Sequence, residues 1–139
     1  MIKKTVFILG LLSSFLLAND IRISDAFAFE SPTNSKHGAV FLKIENVGDK
    51  DINLIKASSN ISDNVELHTH SDENGVIRMV KVDKMTIKAK SSLELKPKHE
   101  HIMLLNLKRP ITKSTKIQLQ LAFDNKSIVT VRNIAIKSR

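Results

Sequence analysis

From residue 20 onward, apolar and polar residues alternate with a period close to two, the signature of half-buried strands. Ile21, Ile23, Phe27 and Phe29 mark a first strand that is interrupted around Asp25–Ala26. Beyond the Ser31-Pro32-Thr33-Asn34-Ser35 loop, Gly38–Asn46 places Val40, Leu42 and Ile44 on one face. Ile52–Ser58, Val65–His70, Val76–Val82, Ser91–Lys96, His101–Leu107, Lys116–Phe123 and Ser127–Ile136 continue the pattern, and Met85 and Ile87 alternate as packing residues. Turn residues separate these runs, with Val47-Gly48-Asp49-Lys50, Asp72-Glu73-Asn74-Gly75 and Asp124-Asn125-Lys126 the clearest. No stretch of helical length carries a helical stripe. Eight or nine short strands in about 120 residues predict an all-β, antiparallel Greek-key sandwich or barrel.

The first 18 residues break the alternation. Lys3 and Lys4 precede the 13-residue apolar run Thr5–Leu17, too short for the roughly 20 residues that span a bilayer. Residues 1–18 therefore predict a secretory signal peptide cleaved after Ala18, with 19–139 as one domain, exported to the periplasm or secreted, and with no membrane span after cleavage.

Composition narrows the chemistry. The chain has 139 residues, no Cys and only four Gly, each isolated. Disulfides, Cys-based zinc sites, thiol catalysis and lipid attachment at a cysteine are excluded, as are the glycine-rich loops of nucleotide enzymes. The net charge is +8, or +6 without Lys3 and Lys4. Its Lys and Arg are spread along every strand without a dense run or interleaved aromatics, so no nucleic-acid partner is expected. Only Phe27, Phe29, Phe41 and Phe123 follow the leader, which leaves Ile, Leu and Val to fill the core.

Histidine and methionine are concentrated. Four of five His form two H-x-H pairs, His68-Thr69-His70 and His99-Glu100-His101, and Met103 follows the second pair by two. Residues two apart on a strand share a face. A two-residue Asn74-Gly75 turn sets His70 opposite Met79 with His68 on the diagonal, and a four-residue loop sets His68 opposite Met79; either register gathers both His with Met79. His37 lies in a polar loop and reads as solvated. Two imidazoles with two thioethers suit soft Cu(I) better than zinc, which prefers thiolate, imidazole and carboxylate.

The spacing of His68, Met79, His101 and Met103, with ten, twenty-one and one intervening residues, resembles the signature of the periplasmic copper-A chaperones, the PCuAC family. Surrounding segments are similar too: Val65-Glu66-Leu67-His68, Glu73–Met79, Leu93–Pro97, His101-Ile102-Met103-Leu104 and Leu107-Lys108-Arg109-Pro110. The resemblance covers residues 20–136. It implies a cupredoxin-like Greek-key β-barrel or sandwich, monomeric, that holds one Cu(I) with His68 and His101 as nitrogen donors and Met79 and Met103 as sulfur donors. It further implies a copper chaperone rather than an enzyme. Its acceptor would be the copper-A subunit of cytochrome c oxidase or a Sco-type thiol protein. The His- and Met-rich tail that adds Cu(II) capacity in many members is not matched by the last residues here, Ala135–Arg139. That leaves His70 and His99 as auxiliary donors and Cu(II) as a second oxidation state to consider.

Two other readings stand beside it. One is a small copper redox enzyme with a four-His site built from His68, His70, His99 and His101. The other is a metal-free secreted β-sandwich that binds a partner, since a fold alone fixes no function.

Overall fold

A computed structural model describes residues 20–139; the expected signal peptide at 1–18 lies outside them. The described residues form eleven strands: β1 Ile21–Phe29, β2 Gly38–Asn46, β3 Ile52–Ser59, β4 Asn64–Glu73, β5 Val76–Val82, β6 Met85–Ile87, β7 Ser91–Glu94, β8 His101–Leu105, β9 Leu119–Phe123, β10 Ile128–Val131 and β11 Ala135–Lys137. They build two sheets. One runs β11-β1-β2-β8-β4-β5, with β7 also pairing β2, and the other runs β10-β9-β3-β6. The sheets face each other as a sandwich and do not close into a barrel.

Alternation dictates the packing. Val40, Leu42 and Ile44 of β2, Leu67 of β4, and Ile102 and Leu104 of β8 point inward from the first sheet. They meet Ile52 and Leu54 of β3, Ile87 of β6, and Leu119, Leu121 and Phe123 of β9. Met85 is buried as a packing residue. Aliphatic burial at roughly 25 cal/mol per Å² is the main stabilising contribution, and no metal is needed to complete this core.

Local chemistry pins the turns. Asn46 is fully buried yet satisfied: its side-chain amide donates to the Lys50 and Ile87 carbonyls at 2.8 and 3.0 Å and accepts from the Gly48 N–H at 3.0 Å. Asp124, beside the β9–β10 turn, accepts from the Asn53 backbone N–H at 2.9 Å and side-chain amide at 2.7 Å, and these two bonds lower its pKa. Asn74 and Gly75 have φ of 54° and 82°, the left-handed pair of a type I′ hairpin turn.

Three details differ from the pattern-based expectation. Among the described residues there are eleven strands instead of eight or nine, because the three-residue β6 is too short to show a period and 127–136 divides into β10 and β11 around Asn133, whose φ is 58°. The β1–β11 pair is parallel, so the sheet is mixed. The interruption in the first strand is a bulge between Ser24 and Phe27, with Asp25 at φ 57°.

Candidate metal site

The candidate donors lie on the outer face of the larger sheet, across the adjacent strands β5, β4 and β8. The two-residue turn selects the first of the two hairpin registers, with His70 opposite Met79 and His68 opposite Lys81. On its other side β4 sets His68 opposite His101 and Glu66 opposite Met103. Opposed residues project to the same side, so His68, His70, Met79, His101 and Met103 all share one face. The inward face of these strands carries Leu67, Ile102 and Leu104 instead, so a one-residue slip of any one strand would turn that strand's donors to the opposite face.

Each ring nitrogen has a defined environment. His68 Nε2 lies 2.8 Å from Glu66 Oε1, and Lys81 stands 3.9 Å from the other carboxylate oxygen. His101 Nδ1 donates to the His99 carbonyl at 2.9 Å. These bonds select the tautomers: His68 keeps its lone pair on Nδ1 and His101 on Nε2. Carboxylate and carbonyl partners of this kind orient and strengthen imidazole ligands. His68 Nδ1 and His70 Nδ1 are enclosed and have no hydrogen-bond partner. Leaving such an atom unsatisfied costs about 1–3 kcal/mol, so an enclosed lone pair without a donor fits a site that awaits a cation. The His68 and His101 rings are 5.3 Å apart, centroid to centroid.

Burial varies across the set. His101 is 4% exposed and Met79 is 52% exposed. Burial lowers the His101 pKa below 6.5; the His99 carbonyl bond opposes this and the neighbouring His68 and His70 add to it. The shift extends toward lower pH the range in which its lone pair is free to donate.

A cavity of about 350 Å³ opens on this face, lined by Met79, His101 and Met103 together with Phe29, Phe41, Pro97, Lys98 and His37. Three of the four expected donors thus border one cavity, and His68 adjoins it through His101. Phe27, Phe29 and Phe41 form an aromatic cluster with centroids 5.2–6.0 Å apart, and Phe41 lies 6.3 Å from the His101 ring. These three Phe stand on the outer face beside the site, leaving Phe123 as the phenylalanine of the sandwich interior. His37, read from sequence as solvated, borders the cavity and accepts from the Asn106 N–H at 3.4 Å. The signal for it was the pairing of β2 with β8, which sets Ala39 opposite Met103 and so brings residue 37 alongside.

The remaining histidines are close by. His70 lies 6.1 Å from His101 and 6.5 Å from His99, ring to ring. Among the described residues, however, no three His, Cys, Asp or Glu side chains are arranged to hold a metal ion. A binding set on this face has to include sulfur or solvent.

Comparison with known proteins places the fold and the family. The LpqE-like family, described as "Putative lipoprotein LpqE-like", matches residues 21–135. "Putative lipoprotein Lxx21020" of Leifsonia xyli subsp. xyli is 30% identical over 111 residues, 79% of this chain and 66% of that protein. The uncharacterized protein RP573 of Rickettsia prowazekii is 29% identical over 99 residues, 69% of this chain and 55% of that protein. The chain thus spans about half to two thirds of the length of these curated relatives. Among solved structures, the copper-bound PCuAC domain from PmoF2 superposes with a TM-score of 0.73 at 16% identity, covering 87% of this chain and 95% of that one. The Cu(I) form of DR1885 from Deinococcus radiodurans superposes at 0.63 with 25% identity, covering 83% and 76%. The fold is therefore the cupredoxin-like β-sandwich of PCuAC domains.

Proposed function

This chain belongs to the LpqE-like family, and from that membership and the site we propose that it is an exported copper chaperone. It binds one Cu(I) through His68, Met79, His101 and Met103 and passes it to an acceptor protein. The observation that carries this reading is the register: three adjacent strands deliver two imidazoles with free, oriented lone pairs and two thioethers to one outer face. Support also comes from fold neighbours whose structures are copper-bound or in the Cu(I) form.

The donor set suits a carrier. Neutral thioethers need no deprotonation and prefer Cu(I), and an exposed Met79 is open to displacement by an incoming ligand. Delivery then proceeds by ligand exchange: an acceptor donor binds copper as a thioether leaves, with His68 and His101 holding the ion until last. No bond chemistry is involved, so the protein acts as a carrier and not as an enzyme. The acceptor is the copper-A subunit of cytochrome c oxidase or a Sco-type thiol protein, and residues 1–18 direct export to the periplasm and are then removed.

The four-His redox reading draws on the nearness of His70 and His99, but no three His, Cys, Asp or Glu side chains are arranged to hold a metal among the described residues. The metal-free reading leaves two enclosed nitrogens without a role. Titrating the purified protein with Cu(I) against a calibrated competing chelator tests the proposal. One equivalent bound far more tightly than by free histidine is expected, and competition no better than free histidine would reject it.

A further inference from the structure

The second pair of histidines forms a rung of its own. Extending the β4–β8 register two steps beyond His68–His101 sets first Thr69 against Glu100 and then His70 against His99. The Thr69 hydroxyl donates to Glu100 Oε2 at 2.8 Å across the strands, which fixes that extension where formal pairing has ended. His70 and His99 thereby project to the same face as the first rung, with ring centroids 6.5 Å apart. The loop between β7 and β8 that carries His99 is closed by hydrogen bonds from the Lys96 N–H to the Glu100 carbonyl at 3.1 Å and from the His99 N–H to the Lys96 carbonyl at 3.0 Å.

We infer that His70 and His99 form a second metal subsite, one that takes Cu(II) through two imidazole nitrogens and completes its coordination with water. Imidazoles that share a metal at roughly 2.0 Å per nitrogen hold their centroids about 4.5 Å apart when cis and about 6.3 Å when trans. The observed 6.5 Å is within a small side-chain rotation of that range, and His99 sits in an exposed loop that permits the rotation. His70 Nδ1 is enclosed without a partner, so its lone pair is not committed elsewhere. The first rung differs in its mobility, since His68 is held by Glu66 and His101 by the His99 carbonyl, with Met103 two residues beyond His101 on β8.

Donor chemistry separates the two stations. Imidazole with water favours Cu(II), which stands at the top of the divalent series, whereas thioether favours Cu(I); Met79, although opposite His70, therefore serves the first station and not the second. The subsite needs no redox step, because it binds the ion in the oxidation state in which it arrives. It stands independently of the Cu(I) assignment, since none of its donors belongs to that set.

The test is titration of the full apoprotein with Cu(II) sulfate, followed by electron paramagnetic resonance and competition with glycine. The wild type should bind one equivalent with splitting from two nitrogens. Met79→Leu with Met103→Leu should leave the signal in place and the affinity within about threefold. His70→Ala with His99→Ala should abolish the two-nitrogen signal and weaken Cu(II) binding about a hundredfold. His99→Ala alone, at an exposed loop position that does not threaten the fold, should halve the nitrogen count and weaken binding about tenfold. Circular dichroism confirms that each variant stays folded, and Cu(I) affinity measured on the same proteins under reductant should stay within about threefold for the His70 and His99 variants. An unchanged two-nitrogen Cu(II) signal in folded His99→Ala, or its disappearance in the Met double variant, would overturn the subsite. Equal losses of Cu(I) and Cu(II) in the His70 and His99 variants would also overturn it, by merging the two stations into one.

Discussion

His101 and Met79, two members of the proposed donor set, live in opposite surroundings. His101 begins β8, an interior strand of the larger sheet; it is almost fully buried, its Nδ1 is tied to the His99 carbonyl, and Phe41 packs beside it. Met79 projects from β5, the edge strand, about half exposed, with Ile77 and Val80 exposed nearby. The contrast assigns different tasks to the two ends. A buried, pre-oriented nitrogen loses little freedom on binding copper and keeps water and protons away. An exposed thioether at an edge can be replaced without disturbing the core, because its strand has a neighbour on one side only. Retention at the interior and release at the edge are what the proposed carrier role would require.

Breaking the alignment between these ends should have the largest effect. One residue inserted between Asn74 and Gly75 shifts β5 by one position and sends Met79 to the opposite face while every donor remains in the chain. Cu(I) affinity should fall about a thousandfold or more in competition titrations, beyond the loss of the thioether alone, because the cation Arg78 then replaces Met79 opposite His70; the fold is retained because β5 packs only the partly buried Val82 against the core. Unchanged affinity in a folded variant would show that the site does not span this hairpin.

Removing the buried end comes next. His101→Ala should lower Cu(I) affinity about a hundredfold. It should also cost ~2 kcal/mol of apoprotein stability in denaturant melts through the cavity left beside Phe41. A loss of affinity with no change in stability would contradict the packing role given to this ring.

The exposed end should behave differently. Met79→Leu should leave stability within about 0.5 kcal/mol and reduce Cu(I) affinity about tenfold, chiefly through faster dissociation in stopped-flow transfer to a chelator. If dissociation is unchanged, release does not begin at Met79.

The smallest effect is set by pH. Because burial lowers the folded-state pKa of His101 below 6.5, the unfolded chain takes up that proton first as the pH falls. The contribution of His101 to stability is therefore fully present above about pH 6.5 and is lost as the pH drops from there through its lowered folded value. Chemical denaturation at stepped pH should show this decline in the wild type and a shallower one in His101→Ala. Identical slopes would remove His101 as its source.

Much of this was legible from the residues, and the limits were physical. Alternation fixed the faces of β2, β4 and β8, and Asn74-Gly75 announced the hairpin, because strand period and turn chemistry are local properties. Which of two registers the hairpin takes depends on the turn's actual closure, and only the backbone settled His70 against Met79. The pairing of β8 with both β2 and β4 is a long-range choice with no local signature. From it follow the closeness of His68 to His101, the placing of His37 at the cavity, and the use of three phenylalanines on the outer face. The β1–β11 parallel pair was hidden for the same reason. Glu66 as a partner of His68 was readable in principle, since residues two apart share a strand face.

The central claim is that thioether sulfur, and not imidazole alone, gives this face its Cu(I) affinity. The most direct measurement replaces Met79 and Met103 together with Leu, a swap that keeps volume and apolar character, and compares Cu(I) and Cu(II) affinities with those of the wild type by chelator competition. The account predicts that Cu(I) affinity falls by orders of magnitude while Cu(II) binding stays within about threefold, because every histidine remains. Retention of Cu(I) affinity in that variant, coupled with its collapse on replacing His70 and His99 by Ala, would contradict the account and return the protein to an all-histidine copper site.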